Sequence, residues 1–270
     1  MRPRPHHESW IELRDGRRLA YAEFGDRSGR PILFFHGTPG ARWQLPPDAS
    51  STAARHGFRI VTVDRPGVGR STPNHRPSLL SFARDVEQLA DALAVDRFAV
   101  MGLSGGGPYA LACAHEHPER IVASVSLGGV GPTDGQDGAP GFPAPMVAVL
   151  RSLWPVKRPV GAALFTALKP FGRLAHPAYR VYARLGPKED RPVLRDPAMR
   201  AMFTADLRMA VREGMIGALY DLALFGRPWG FSPGDIEIPV RIWHGDIDPV
   251  VPLAHSEHLS TVIPDCELEV

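Results

Sequence analysis

The most informative part of the chain is Phe98-Ala99-Val100-Met101-Gly102-Leu103-Ser104-Gly105-Gly106-Gly107. Its first four residues are typical of a buried β-strand, and the residues from Gly106 onward predict a helix that Pro118 ends. Between them, residues 102–106 have the form G-x-S-x-G. In this context the pattern predicts a nucleophile elbow, which would expose Ser104 at the carboxyl end of the strand and at the N-terminus of the helix. The alternative is a strand–helix turn in which glycine and serine serve only as capping residues.

Short apolar runs elsewhere in the chain predict further strands that are buried on both faces, at residues 32–35, 60–63, 121–127 and 240–243. Apolar residues recur at helical spacing over residues 79–93, and residues 106–115 predict a second helix. Alternating strands and helices indicate an α/β fold with a doubly wound, mostly parallel sheet. A hairpin over residues 10–24, with Asp15-Gly16 at its turn, precedes that sheet.

Residues 131–235 interrupt this alternation. A Gly/Pro-rich linker opens the segment, and prolines then separate stretches that we expect to be helical, at residues 146–154, 160–168, 179–185 and 199–225. The sequence therefore predicts a sheet-containing core made of residues 1–130 and 236–270, with a helical insertion at 131–235.

The composition excludes several classes of protein. The 270 residues are 44% hydrophobic and 22% charged, with a net charge of +2, which suits a globular domain and not a disordered chain. The 31 basic and 29 acidic residues nearly cancel and the arginines are scattered, so we expect no nucleic-acid partner. The sequence has no run of 18 apolar residues, so we expect no membrane partner. The N-terminus does not resemble a signal peptide, and two cysteines, Cys113 and Cys266, indicate free thiols in a reducing, cytoplasmic location.

A second motif, His36-Gly37-Thr38-Pro39-Gly40, follows the strand at residues 32–35. Acyl transfer needs two preorganised N–H donors for the developing oxyanion. The N–H of Gly105 is one candidate, and the N–H of Thr38 is the natural second. Without Ser104 downstream, an ordinary strand–helix loop would be the better interpretation of this motif.

A third motif, Asp64-Arg65-Pro66-Gly67-Val68-Gly69-Arg70-Ser71, ends the strand at residues 60–63. It is not a dinucleotide-binding fingerprint, because the third glycine is missing and Pro73 prevents an immediate helix. We expect a structural loop at the rim of the sheet, with Asp64 and Arg65 in local polar pairing.

The three motifs, in this order and spacing, resemble the α/β-hydrolase fold superfamily, in its capped, serine-nucleophile branch. The resemblance runs from about residue 10 to the end of the chain and implies that residues 131–235 form the helical cap. A serine at the elbow argues against the epoxide hydrolase and haloalkane dehalogenase branches, which place aspartate there. The loop at residues 36–40 is similar to that of proline iminopeptidases, although those usually have glycine at the position of Thr38.

The superfamily orders its catalytic triad as serine, acid and histidine. Its Gly-x-x-Asp-x-x-x-Pro motif matches Gly245 to Pro252, which implies that Asp248 is the acid. Asp246 would then hold the loop through local backbone bonds. Asp134, after the strand at residues 121–127, is an alternative acid.

The histidine of this triad has no counterpart in the chain. It is expected on a loop after the last strand, yet residues 266–270 look like the opening of that strand and there the sequence stops. The other histidines, His244 among them, are expected to be packing or surface residues. We therefore expect a longer parent sequence that continues with a Gly-His, and a 270-residue chain that is nearly inactive.

The resemblance implies two-step acyl transfer from a small carboxylic ester or similar compound to water, with no cofactor and no metal. Position alone suggests that Trp43, Met146 and Phe225 line the substrate pocket. Two alternatives stay open. One is a non-catalytic member that binds a small ligand, and the other is a proline-iminopeptidase-like or cofactor-free haloperoxidase-like enzyme.

Overall fold

The computed structural model describes residues 4–133, 148, 149, 152, 155, 175–212 and 215–270. The strands of these residues are β1 His7–Glu12, β2 Arg18–Gly25, β3 Arg30–Phe35, β4 Phe58–Val63, β5 Phe98–Leu103, β6 Ile121–Leu127, β7 Val240–Trp243 and β8 Cys266–Glu269. They form one sheet in the order β1-β2-β4-β3-β5-β6-β7-β8. The first two pairings in that order are antiparallel and the other five are parallel, which confirms the predicted sheet.

Strands β1 and β2 form the predicted hairpin. Trp10 pairs with Ala20 and Glu12 with Arg18. Gly16, in the turn, has a φ of +80°, which a residue without Cβ adopts at little cost. The hairpin adds an antiparallel edge to a sheet that is otherwise parallel.

Four helices accompany the core strands: α1 Ala49–Arg55, α2 Leu79–Ala92, α3 Gly107–Glu116 and, later in the chain, α8 Ala254–Val262. Helix α2 begins at a capping box, in which the Ser78 hydroxyl accepts the N–H of Ser81. Its apolar face buries Phe82 against Phe35 of β3, with ring centroids 5.2 Å apart. Phe34, one residue earlier, lies in a separate apolar cluster with Phe24. Successive strand residues point to opposite faces, so β3 is buried on both sides.

The chain between β6 and β7 is helical wherever the structure describes it as regular. Its longer elements are α4 Ala175–Leu185, α5 Arg191–Arg195, α6 Pro197–Ala210 and α7 Ile216–Phe225. The single helix predicted over residues 199–225 is therefore two helices, α6 and α7. Asp196 caps the first of them, since its carboxylate accepts the N–H groups of Ala198 and Met199. The helix predicted at 160–168, and nearly all of the one at 146–154, lie outside the described residues.

Within the described residues, no helix has the length and apolar character needed to cross a membrane.

Candidate active site

Ser104 follows the last residue of β5 and begins a turn of 3-10 helix that leads into α3. Its φ is +52°, a conformation that non-glycine residues rarely adopt. The neighbouring glycines make this turn feasible. A Cβ on Gly102 would collide with the carbonyl oxygen of Gly106, and a Cβ on Gly106 would collide with that of Phe35. The strand, the sharp turn and the helix are thus arranged as the G-x-S-x-G pattern predicts, with Ser104 half-buried at the carboxyl edge of the sheet.

Ser104 opens into a cavity of about 550 Å³. The core contributes loop residues and strand ends to its wall, and helices α4 and α6 contribute aromatic and apolar side chains. The lining residues include Thr38, Gln44, Ser104, Tyr179, Tyr182, Phe203, Asp206, Leu207 and Asp248. The cavity is large enough for a small organic molecule.

The loop at residues 36–40 lies directly against Ser104. A Cβ on Gly37 would be 3.5 Å from the Cβ of Ser104, and a Cβ on Gly105 would come within 2.9 Å of the Cβ of Thr38. The Gly37 N–H is held by the side-chain oxygen of Gln44. The structure therefore brings together Thr38, Ser104 and Gly105, the three residues that the sequence assigns to the nucleophile and the oxyanion hole.

A buried ion pair between Arg65 and Asp221 stabilises the loop at residues 36–40. Arg65 is only 1% exposed, and its guanidinium donates to Asp221 of α7 at 2.6 Å. The same guanidinium donates to the Thr38 hydroxyl at 2.9 Å and to the carbonyl oxygens of Gly37, at 3.1 Å, and His36. A charge this deeply buried needs several partners, and Arg65 has them.

Asp221 is shared by three donors. It accepts from Arg65, from the Thr38 hydroxyl at 2.6 Å and from the Tyr109 hydroxyl at 2.6 Å. Burial, followed by the nearby Asp221, raises the pKa of Tyr109 well above its ordinary value, so Tyr109 stays protonated and donates. Burial and the charge of Arg65 lower the pKa of His36 well below its ordinary value, so His36 stays neutral.

The expected local pairing of Asp64 with Arg65 is wrong. Asp64 is fully buried and pairs with Arg42, whose backbone N–H also donates to it at 2.8 Å. Arg65 pairs with Asp221, 156 residues away. The side chains of consecutive residues leave the end of β4 in different directions, so each finds a partner from another part of the chain.

The candidate acid, Asp248, lies on the loop after β7 and lines the same cavity as Ser104. Its Oδ1 accepts the N–H groups of Val250 at 2.7 Å and Val251 at 3.0 Å. The backbone bonds that we expected Asp246 to make thus come from Asp248, whereas Asp246 is exposed. The alternative acid, Asp134, lies outside the described residues.

All eleven histidines lie in the described part of the chain, and none of them lines the Ser104 cavity. His244 comes nearest to Asp248, with its Nε2 3.6 Å from Oδ2. Its ring is already held, because Nδ1 lies 2.6 Å from the Ser256 hydroxyl and Nε2 lies 2.9 Å from the carbonyl oxygen of Val251. His244 is therefore a packing residue of the acid loop, as its position in the sequence predicts. No cluster of three potential metal ligands occurs among the described residues.

The pocket wall differs from the one expected. Trp43 does not line the cavity, since its indole N–H donates to Glu8. Phe225 is also not among the lining residues, although its ring lies close to Gly105. Met146 lies outside the described residues. The aromatic side chains that line the cavity are instead those of Tyr179, Tyr182 and Phe203.

Sequence reasoning missed two buried carboxylates, Asp206 and Asp221. Asp206 lies in the cavity wall and accepts the backbone N–H groups of Ala41 and Trp43, each at 3.0 Å. Burial raises the pKa of Asp206 well above its ordinary value. A signal for Asp221 does exist, because it is the only charged residue of the apolar helix α7 and must be paired if that helix is buried.

Comparison with known proteins is consistent with this geometry. The family described as the alpha/beta hydrolase fold matches residues 30–270. A proline iminopeptidase of Neisseria meningitidis serogroup A is 31% identical over 127 residues, which are 46% of this chain and 40% of that protein. A non-heme chloroperoxidase of Streptomyces lividans is 32% identical over 128 residues, 45% of each chain. These matches span less than half of the curated relatives.

Among solved structures, an esterase from Exiguobacterium antarcticum superposes with a TM-score of 0.70 and 22% identity, over 98% of this chain and 90% of that one. A hydrolase from Pseudomonas aeruginosa superposes with a TM-score of 0.70 and 22% identity, over 98% and 89%. At this level of identity the likeness shows the fold.

Proposed function

Since this chain belongs to the α/β hydrolase family, we propose that it is a serine hydrolase that cleaves small carboxylic esters or similar acyl compounds, with Ser104 as the nucleophile. The observation that carries the proposal is the position of Ser104. It stands at positive φ on a substrate-sized cavity, with the oxyanion candidates Thr38 and Gly105 beside it and Asp248 on the same wall.

In the proposed reaction the Ser104 Oγ attacks the acyl carbon and loses its proton to a base. The N–H groups of Thr38 and Gly105 stabilise the oxyanion, and the N-terminal end of the helical segment adds a favourable dipole. When the ester C–O bond breaks, the departing alkoxide takes the proton from the base. Water then attacks the acyl-enzyme with help from the same base, which releases the carboxylic acid and restores Ser104.

The base in this scheme is an imidazole that Asp248 orients and stabilises when it is protonated. No histidine of these 270 residues lines the cavity, so an imidazole from outside them would serve as the base. Asp248 already accepts two N–H groups of its own loop, so its carboxylate is held in place at the cavity wall.

We also propose that residues 131–235 act as a cap that selects the substrate. Supporting this, Tyr179 and Tyr182 of α4, and Phe203 and Leu207 of α6, line the cavity above the core residues.

The free thiols Cys113 and Cys266, of which the first is buried and the second half-buried, support a reducing, cytoplasmic location.

The first prediction concerns Ser104 directly. Without its base, a serine triad retains about 10³–10⁴-fold catalysis over water. We expect weak hydrolysis of p-nitrophenyl butyrate by the 270-residue chain and a clear increase when free imidazole is added, an increase that Ser104→Ala abolishes even if the weak residual rate, which the oxyanion hole and substrate binding supply, remains. The exposed Ser51→Ala is the matched control and should behave like the parent chain. Because imidazole hydrolyses the ester by itself, the quantity to compare is the excess rate over Ser104→Ala at each imidazole concentration.

Equal rates in the parent chain and Ser104→Ala, with and without imidazole, would refute the nucleophile assignment and favour a ligand-binding protein. High Ser104-dependent turnover without imidazole would instead refute the external base.

A second candidate function, removal of N-terminal proline, is favoured by the similarity to proline iminopeptidases. Proline p-nitroanilide in the same assay separates it from the ester reaction.

A further inference from the structure

A second cavity, of about 350 Å³, lies among helices α4, α5 and α6. Five arginines line it: Arg180, Arg184, Arg191, Arg195 and Arg200. Its apolar wall includes Tyr179 and Leu194.

The positive charges of these five arginines have few acidic partners within the described residues. Within the described ranges, none of the five forms a salt bridge with an acidic side chain. Asp196, which lies beside Arg195 in sequence, uses its carboxylate to cap α6. The Nε of Arg191 is buried and has no hydrogen-bond partner. A buried guanidinium N–H without an acceptor costs free energy, so internal hydrogen bonding does not explain why Arg191 lies here.

Helix stability does not account for this arrangement. Arg180 and Arg184 are four residues apart on α4, and Arg191 and Arg195 are four residues apart on α5. Like charges at this spacing destabilise a helix, and a third helix adds Arg200 to the same cavity. Arg184 and Arg195 lie in the last turns of their helices, where a cation is favourable, but Arg191 and Arg200 lie in first turns, where it is not.

We propose that this cavity is a binding site for a multiply charged phosphate-type oxyanion, such as the diphosphate group of a small molecule. Guanidinium groups present parallel N–H donors that match phosphate oxygens, and five of them call for more than one negative charge. The volume suits a small anion.

The site adjoins the Ser104 cavity through one residue. Tyr179 lines both cavities, and its hydroxyl donates to the carbonyl oxygen of Leu194 at 2.5 Å. An anion bound among the arginines would therefore contact the far side of a residue that forms the wall of the proposed substrate cavity. The anion site itself requires no catalysis, so its test is independent of the serine hydrolase proposal.

The test is calorimetric titration of the 270-residue chain with inorganic pyrophosphate, with acetate as the singly charged comparison. We expect saturable binding of one pyrophosphate per chain, no saturable binding of acetate, and weaker binding as salt is raised from about 50 mM to about 300 mM. The double variant Arg184→Gln/Arg195→Gln should bind pyrophosphate about tenfold more weakly or worse, since two charge-assisted contacts are lost.

The matched control is Arg76→Gln/Arg97→Gln, which removes the same net charge from exposed positions outside the cavity. It should bind pyrophosphate like the parent chain. Arg184→Lys/Arg195→Lys keeps the charge but not the forked donors, and should fall between the two. Absence of saturable pyrophosphate binding by the folded parent chain, or equal weakening in both glutamine variants, would overturn the proposal. Thermal melting of each variant establishes that it is folded.

Discussion

At the scale of single residues, the site depends on the absence of side chains as much as on their presence. Gly105 lies so close to the Thr38 side chain that a methyl group there would collide with the Thr38 hydroxyl and press on the ring of Phe225, 2.9 Å away. We predict that Gly105→Ala lowers the free energy of unfolding by about 1–3 kcal/mol, the usual cost of overpacking. It should also displace the 36–40 loop. Urea denaturation measures the first effect.

Gly245→Ala is the control for this prediction, because a Cβ at Gly245 would meet no atom within 4 Å and its φ is not positive. It should change the free energy of unfolding by less than about 0.5 kcal/mol. Equal effects of the two substitutions would show that the close approach of Gly105 and Thr38 is not a constraint in solution.

At the scale of elements, helix α7 is joined to the core by the Arg65–Asp221 ion pair. Removing one partner of a buried pair leaves an uncompensated charge, so Asp221→Asn should cost about 3–5 kcal/mol of unfolding free energy. Glu267→Gln breaks the exposed pair between Arg241 and Glu267 and should cost less than about 1 kcal/mol. Urea denaturation of both variants measures the difference. If Asp221→Asn proved as mild as Glu267→Gln, the pair would not be what attaches α7.

The Arg65–Asp221 pair illustrates which features can be predicted from the sequence and which cannot. The strands and the elbow were predicted because their signals are local: a short apolar run, and glycines around one serine. The partners of Arg65 and Asp64 were missed because they depend on which distant segments the fold brings together. Asp206 was missed for the same reason, since the N–H groups that it accepts belong to a loop more than 160 residues earlier.

At the scale of the whole molecule, His255 of α8 connects the carboxyl-terminal part of the core to the point where the chain leaves β6. Its Nδ1 accepts the N–H of Gly131 at 2.8 Å, and burial, followed by the nearby His244, lowers the pKa of His255 to about 4. In the folded protein at neutral pH, His255 is therefore an uncharged acceptor.

The last prediction follows from this lowered pKa. The unfolded chain binds a proton at His255 near the ordinary pKa of 6.5, whereas the folded chain does so only near 4. The stability that His255 contributes is thus complete above about pH 6.5 and is lost as the pH falls toward 4. His255→Asn keeps an acceptor for Gly131 but cannot titrate, so the unfolding free energy of the parent chain should fall relative to this variant between pH 7 and 4. The buried carboxyls Asp64 and Asp206, whose pKa values are raised, are common to both proteins and cancel in that difference. The exposed His56→Asn, measured by urea denaturation at the same pH values, should show no such trend, and a parallel course for the parent chain and His255→Asn would contradict the assignment.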